Sequence, residues 1–264
     1  MHSKQEKMEA FGRLLDIMDD LREGCPWDRK QTFDSLRHLT IEEVYELSDA
    51  ILDKDYDRIK EEAGDVLLHL VFYGKLGEEA GKFDVADIAH HISEKLIRRH
   101  PHIYGDVKVA DAEEVKRNWE KLKMKEGKKS VLEGVPRSLP ALIKAMRMQE
   151  KAAGVGFDWD RPEPVKEKVL EEWDELQKAV ASGDKDRTED EFGDLLFALI
   201  NYARHIGVNP ETALERANRK FKRRFEQIEQ MAESQGKSLR DMSLEEMDRL
   251  WNKAKDGEND APMK

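Results

Sequence analysis

Few stretches of this chain alternate apolar and polar residues, and runs of β-branched or aromatic residues are short. Strands therefore have little support, and the pattern predicts helix nearly throughout. Two almost wholly apolar runs, Val66 to Phe72 and Leu195 to Ile200, are short enough to be buried strands. Each continues directly from a charged helical pattern, which favours a buried helix instead. Asp53-Lys54-Asp55 and Ser182-Gly183-Asp184 interrupt the pattern and predict turns between paired helices. The expected unit is a helical hairpin with further helices, which suits a bundle and an all-α fold.

The pattern occurs twice. Trp27-Asp28 aligns with Trp159-Asp160, Glu42-Glu43-Val44-Tyr45-Glu46 with Glu171-Glu172-Trp173-Asp174-Glu175, and Glu62-Ala63-Gly64-Asp65 with Glu191-Phe192-Gly193-Asp194. The step from Glu46 to Glu62 equals that from Glu175 to Glu191, 16 positions in each. Tyr73 aligns with Tyr202, Lys95, Arg98 and Arg99 with Lys220, Arg223 and Arg224, and Trp119 and Lys123 with Trp251 and Lys255. A tandem duplication follows, with domains expected at 1–126 and 141–264. The linker, 127–140, is marked by Gly127, Gly134, Pro136 and Pro140.

Composition narrows the partners. Charged and hydrophobic residues each make up 39% and aromatics 7%, so cores should be thin and polar faces broad. A net charge of −11 disfavours nucleic acid and anionic membrane as partners. No apolar run approaches a membrane span, the first nine residues lack the apolar core of a signal peptide, and a single cysteine, Cys25, precludes an internal disulfide. A cytoplasmic location is the expectation.

Acidic residues at helical spacing carry the candidate chemistry. At about 100° per residue, Glu171, Glu172 and Glu175 share one face, and Glu191 and Asp194 lie about 60° apart on the next helix. Lys168 and Arg187 join these faces. Two carboxylates about 4 Å apart repel by about 4 kcal/mol at an effective dielectric of 20, so such a cluster calls for a cation. Magnesium, a hard ion shared readily between carboxylates and phosphates, fits best, with Glu172, Glu175, Glu191 and Asp194 as ligands. No His/Cys cluster suggests zinc, and neither motif contains the Glu-x-x-His pair of a di-iron site. One Glu-Glu-x-x-Glu alone is ordinarily a solvated helix face. Recurrence of both motifs at equal spacing is what points to a site. Lys220, Arg223, Arg224 and Lys255 are candidate phosphate ligands, and Trp251 could stack on a base.

Glu-Glu-x-x-Glu followed by Glu-x-x-Asp resembles the signature of the all-α nucleoside triphosphate pyrophosphohydrolases. That superfamily includes dimeric dUTPases and phosphoribosyl-ATP pyrophosphatase. The chain resembles the MazG family most, over nearly its whole length. The resemblance includes Cys25-Pro26-Trp27-Asp28, Arg98-Arg99-His100-Pro101-His102, Val155-Gly156-Phe157-Asp158-Trp159 and Lys220-Phe221-Lys222-Arg223-Arg224-Phe225. It implies two MazG-type helical bundles intertwined in a homodimer. It also implies magnesium-dependent hydrolysis of NTPs or dNTPs to monophosphate and pyrophosphate, by activated water at the α-phosphorus. Glu171, Glu172, Glu175, Glu191 and Asp194 would be catalytic. Lys168, Arg187, Lys220, Arg223, Arg224, Trp251 and Lys255 would bind substrate. The first copy offers Glu42, Glu43, Glu46, Glu62, Asp65, Arg58, Lys95, Arg99, Trp119 and Lys123. Leu39 stands where the second copy has Lys168, and the resemblance favours the second copy as the main catalytic one. A structural metal without turnover is the rival from another class. The repeated Lys, Arg and Trp positions disfavour it, and the absence of a Walker loop argues against a motor function.

Overall fold

The computed structural model describes residues 1–109, 111, 115, 118 and 130–259. Among these there are ten α-helices and no strand. The chain forms two compact units, Met1–Val109 and Ala110–Lys264. The expected boundary at residues 126–127, Trp119 and Lys123 lie outside the described residues.

The first unit contains α1 (Lys4–Gly24), α2 (Phe33–Asp53), α3 (Tyr56–Glu79), α4 (Val85–Arg99) and the one-turn α5 (Pro101–Tyr104). α2 and α3 form the central hairpin, with α1 and α4 packed on α3. Local chemistry sets its ends. Thr32 and Ser35 form a capping box at the start of α2. Lys54 turns left-handed after α2, and the Asp55 carboxylate then accepts from the Asp57 and Arg58 amides to start α3. The core is Met18, Leu36, Val71, Phe72 and Leu76, with Leu39 and Tyr73 against it.

The second unit contains α6 (Ala141–Ala153), α7 (Pro162–Ser182), α8 (Lys185–His205), α9 (Pro210–Ser234) and α10 (Leu244–Asn259). α7 and α8 repeat the hairpin, α6 packs on α8, and α10 folds back on α9. Gly183, at φ +74°, closes α7, and the Asp184 carboxylate caps α8 by accepting from the Arg187 amide. Both predicted turns therefore lie where the hydrophobic pattern breaks. Both apolar runs are helical, inside α3 and α8. Val165, Leu176, Ala179 and Leu195 are buried on the hairpin, and Ile228, Ala232, Met242 and Leu250 form a second cluster between α9 and α10.

α3 passes close against residue 83. A Cβ on Gly77 would lie 2.6 Å from both the Phe83 ring and the Phe83 carbonyl oxygen. Gly77→Ala should lower unfolding stability by about 1–3 kcal/mol. Gly12→Ala, in open space on α1, should instead raise it by about 0.5–1 kcal/mol. Urea midpoints of the two variants, displaced in opposite directions from wild type, would bear this out.

Candidate functional site

The α7–α8 hairpin of the second unit sets its acidic faces against each other. Glu172, Glu175 and Glu191 each offer an oxygen, and the three oxygens lie within 4.8 Å of one another. Glu172 is buried. Asp194 and Glu172 both border a cavity of about 480 Å³ beside the cluster. Glu171 is more exposed, and Lys168 joins it to the cluster. The Lys168 ammonium donates to Glu171 at 2.9 Å and lies 2.7 Å from Glu172. These hydrogen bonds, the one to Glu172 first, raise the Lys168 pKa, so the lysine stays charged. Arg187 lies 3.5 Å from Glu191.

The cavity is largely apolar, walled by Val155, Phe157, Trp159, Val165 and Phe197, with Lys168, Gln149, Asn201 and Arg204 among its polar lining. Its position follows from the Val155-Gly156-Phe157-Asp158-Trp159 segment between α6 and α7. The Asp158 carboxylate accepts both Arg204 Nη groups and lies 2.9 Å from His205 Nε2, so the segment is tied to the end of α8. Sequence reasoning found Trp159 through the internal repeat and the rest of this segment only as part of a resemblance. It missed Gln149, Asn201 and Arg204, which lie on two helices and share no motif.

Lys220, Arg223 and Arg224 lie on α9, and Trp251 and Lys255 on α10. None of the five belongs to the cavity wall. Trp251 packs against the α9–α10 core, 5.3 Å from the Phe221 ring, with the Arg224 guanidinium 5.6 Å from its centroid.

The first unit reproduces the carboxylates but not their surroundings. Oxygens of Glu43, Glu46 and Glu62 also come within 4.8 Å of one another. Arg58 approaches Glu62 at 3.9 Å and Asp53 at 3.5 Å. Desolvation, then the charges of Asp65, Glu46 and Glu42, pushes the Glu43 carboxyl above its usual value. Glu62 is raised by desolvation and by Glu46 and Glu61. Leu39 offers no ammonium here. Phe72, which aligns with Asn201, is 2% exposed within the core. His69 is buried beside Thr40, its Nδ1 2.9 Å from the hydroxyl, which lies 2.6 Å from the Tyr73 hydroxyl. Burial lowers the His69 pKa. Lys95 and Arg99 lie on α4.

An all-α chain that twice converges three carboxylates across a helical hairpin, once beside a ligand-sized cavity, defines the class of protein: it suits hydrolysis of phosphoanhydrides. Comparison with known proteins agrees. The MazG nucleotide pyrophosphohydrolase domain matches residues 31–104 and 161–228. The nucleoside triphosphate pyrophosphohydrolase of Escherichia coli K12 is 44% identical over 262 residues, 96% of this chain and 100% of that protein. The nucleoside triphosphate pyrophosphohydrolase/pyrophosphatase MazG of Thermotoga maritima is 46% identical over 253 residues, 94% of this chain and 96% of its own length. YabN of Bacillus subtilis, an uncharacterized protein, is 47% identical over 97% of this chain and 54% of its own length. The chain belongs to the MazG family and is a hydrolase acting on phosphoanhydride bonds. Among the described residues no helix is long and apolar enough to cross a membrane.

The Asp158 anchor gives a pH signature. Burial raises its carboxyl, but hydrogen bonds from Arg204 and His205 outweigh burial and hold it below the usual carboxylate range. A lowered folded-state pKa contributes stability that is present above the unfolded value and lost as pH falls through the folded one. Unfolding midpoints should therefore fall on acidification below about pH 5. They should fall less steeply in Asp158→Asn, which starts less stable at neutral pH.

Proposed function

We propose that the protein is a magnesium-dependent nucleoside triphosphate pyrophosphohydrolase that works mainly through its second unit. The observation that carries this reading is the closure of Glu172, Glu175 and Glu191 to within 4.8 Å beside a cavity also bordered by Asp194. The donor set fits magnesium, because it is all carboxylate and one member is buried among like charges. Glu172, Glu175, Glu191 and Asp194 would hold the ion. When bound, it supplies neutralisation of triphosphate charge and a lowered pKa for water.

The chain's own groups account for the rest of the reaction. Glu171, exposed at the edge of the cluster, accepts the proton of the attacking water, a role that needs hydrogen-bond reach and an ionised carboxylate. The water oxygen bonds to the α-phosphorus as the bond from that phosphorus to the bridging oxygen breaks, and pyrophosphate leaves. Lys168, already between Glu171 and Glu172, exchanges a carboxylate contact for a phosphate oxygen. Arg187, Lys220, Arg223, Arg224 and Lys255 supply further cations for the phosphates. Trp251, packed on Phe221 with the Arg224 guanidinium over its ring, belongs to the same substrate-binding group. The nucleoside enters the cavity beside the cluster. The first unit keeps the carboxylates but fills the aligned position with Phe72 and lacks Lys168, which is why the second is ranked as the catalytic copy.

In ¹⁸O-labelled water, the label should appear in the monophosphate. Label confined to pyrophosphate would mean attack at the β-phosphorus and would sink this mechanism. Chelator should stop turnover. In a background with Glu43→Gln and Glu62→Gln, Glu172→Gln or Asp194→Asn should reduce kcat about 100-fold or more without loss of fold.

Assembly as a homodimer is part of the same reading. The hairpin helices leave Leu170, Trp173 and Val180 of α7 and Phe192, Leu196 and Leu199 of α8 exposed, and exposed apolar side chains grouped on paired helices are a common mark of an interface. A second copy would cover them. Light scattering at micromolar concentration should give twice the chain mass, and Trp173→Glu should shift it toward one.

A further inference from the structure

Two carboxamides reach the cavity of the second unit, and the structure has already committed one end of each. Gln149, on α6, is 6% exposed and lines the cavity. Its Nε2 donates to the Phe197 carbonyl at 2.8 Å, which fixes the orientation of the amide. Its Oε1 is the buried side-chain atom left without a hydrogen-bond partner among the described residues. Such an orphan acceptor is costly unless something that donates sits against it.

Asn201 lies one turn beyond Phe197 on α8 and lines the same cavity. Its Oδ1 accepts from Arg204 Nε at 3.1 Å and Nη2 at 2.8 Å. Arg204 is held in turn by the Asp158 carboxylate. Arginine has no acceptor, so this chain of contacts permits only one orientation of the amide, with Nδ2 left as a donor. Near one turn of α8 the cavity lining thus holds one unpaired acceptor, buried just behind the surface, and one donor, among the apolar rings of Phe157, Trp159 and Phe197.

We propose that Gln149 and Asn201 are specificity-determining residues that read the hydrogen-bonding edge of the nucleobase. The Asp158–Arg204 pair acts as a positioning device for Asn201. This rests on the reading of the second unit as the nucleoside triphosphate site. The complementary ligand edge carries an N–H or amino donor for Gln149 beside a ring nitrogen or carbonyl acceptor for Asn201. Planar heterocyclic bases present that edge. The triphosphate, which has no donor when ionised, does not. The first unit has no such pair, because Phe72 stands at the position of Asn201 and is packed into the core.

The test uses the full-length protein with magnesium, a panel of ATP, GTP, CTP and UTP, and two variants. Gln149→Met keeps the side chain's length and removes the orphan acceptor. Asn201→Asp keeps an oxygen for Arg204 and removes the donor. KM should rise about tenfold for the preferred bases in each variant, with kcat within about twofold. The spread of kcat/KM across the four bases should also narrow. Without nucleotide, Gln149→Met should melt at or above the wild-type temperature, since it removes an unsatisfied buried oxygen. A third variant, Asp158→Asn, should raise KM in the same direction. An unchanged KM in both carboxamide variants would overturn the assignment. So would a KM that rises equally for all four bases with no change in their spread, which would place the sugar against the pair. Failure of the wild-type protein to convert any of the four to monophosphate and pyrophosphate would instead reject the underlying functional reading.

Discussion

Like charges held close together set the terms for each half of this protein. Glu172, Glu175 and Glu191 converge because α7 and α8 bury the opposite sides of their helices, and a short capped turn leaves no freedom to separate them. In water the three would move apart. Here the apolar packing of Val165, Leu176 and Leu195 holds them in place. The repulsion is therefore balanced by cations: Lys168 within the chain, Arg187 beside Glu191, and a divalent ion in the functional reading. The first unit shows the same crowding with Leu39 in place of the lysine, and there Glu43 and Glu62 are pushed toward their protonated forms.

The two halves differ in what fills the space beside the carboxylates. In the first, Phe72, Leu76 and Leu39 build a continuous apolar core with Met18 and Leu36. In the second, the aligned positions are Asn201, His205 and Lys168, and a cavity of about 480 Å³ is present. These polar replacements work together. His205 and Arg204 meet at Asp158, Arg204 orients Asn201, and the anchored segment brings Phe157 and Trp159 to the cavity wall. Placing one of these polar groups in the first unit's core would leave it unsatisfied, at a cost of about 1–3 kcal/mol. Duplication supplied the scaffold. Exchange of a few core residues for a mutually bonded polar set separates a packed bundle from one with room for a ligand.

Much of this was legible along the chain, because it depends on local spacing. Helix periodicity, the breaks at Asp53-Lys54-Asp55 and Ser182-Gly183-Asp184, and the repeat itself are properties of near neighbours in sequence. The fold class and both hairpins follow from them. The convergence of Glu172, Glu175 and Glu191 was legible for the same reason, since 3.6-residue periodicity fixes a face and one short turn fixes the partner helix. What the sequence could not determine was anything joining helices separated by many residues. The Gln149 contact with Phe197 spans 48 positions and that of Asp158 with Arg204 spans 46. Neither pair belongs to a periodic pattern. Whether Asn201 faces a cavity or a core depends on the side chains that three helices bring to it, and only tertiary packing decides that.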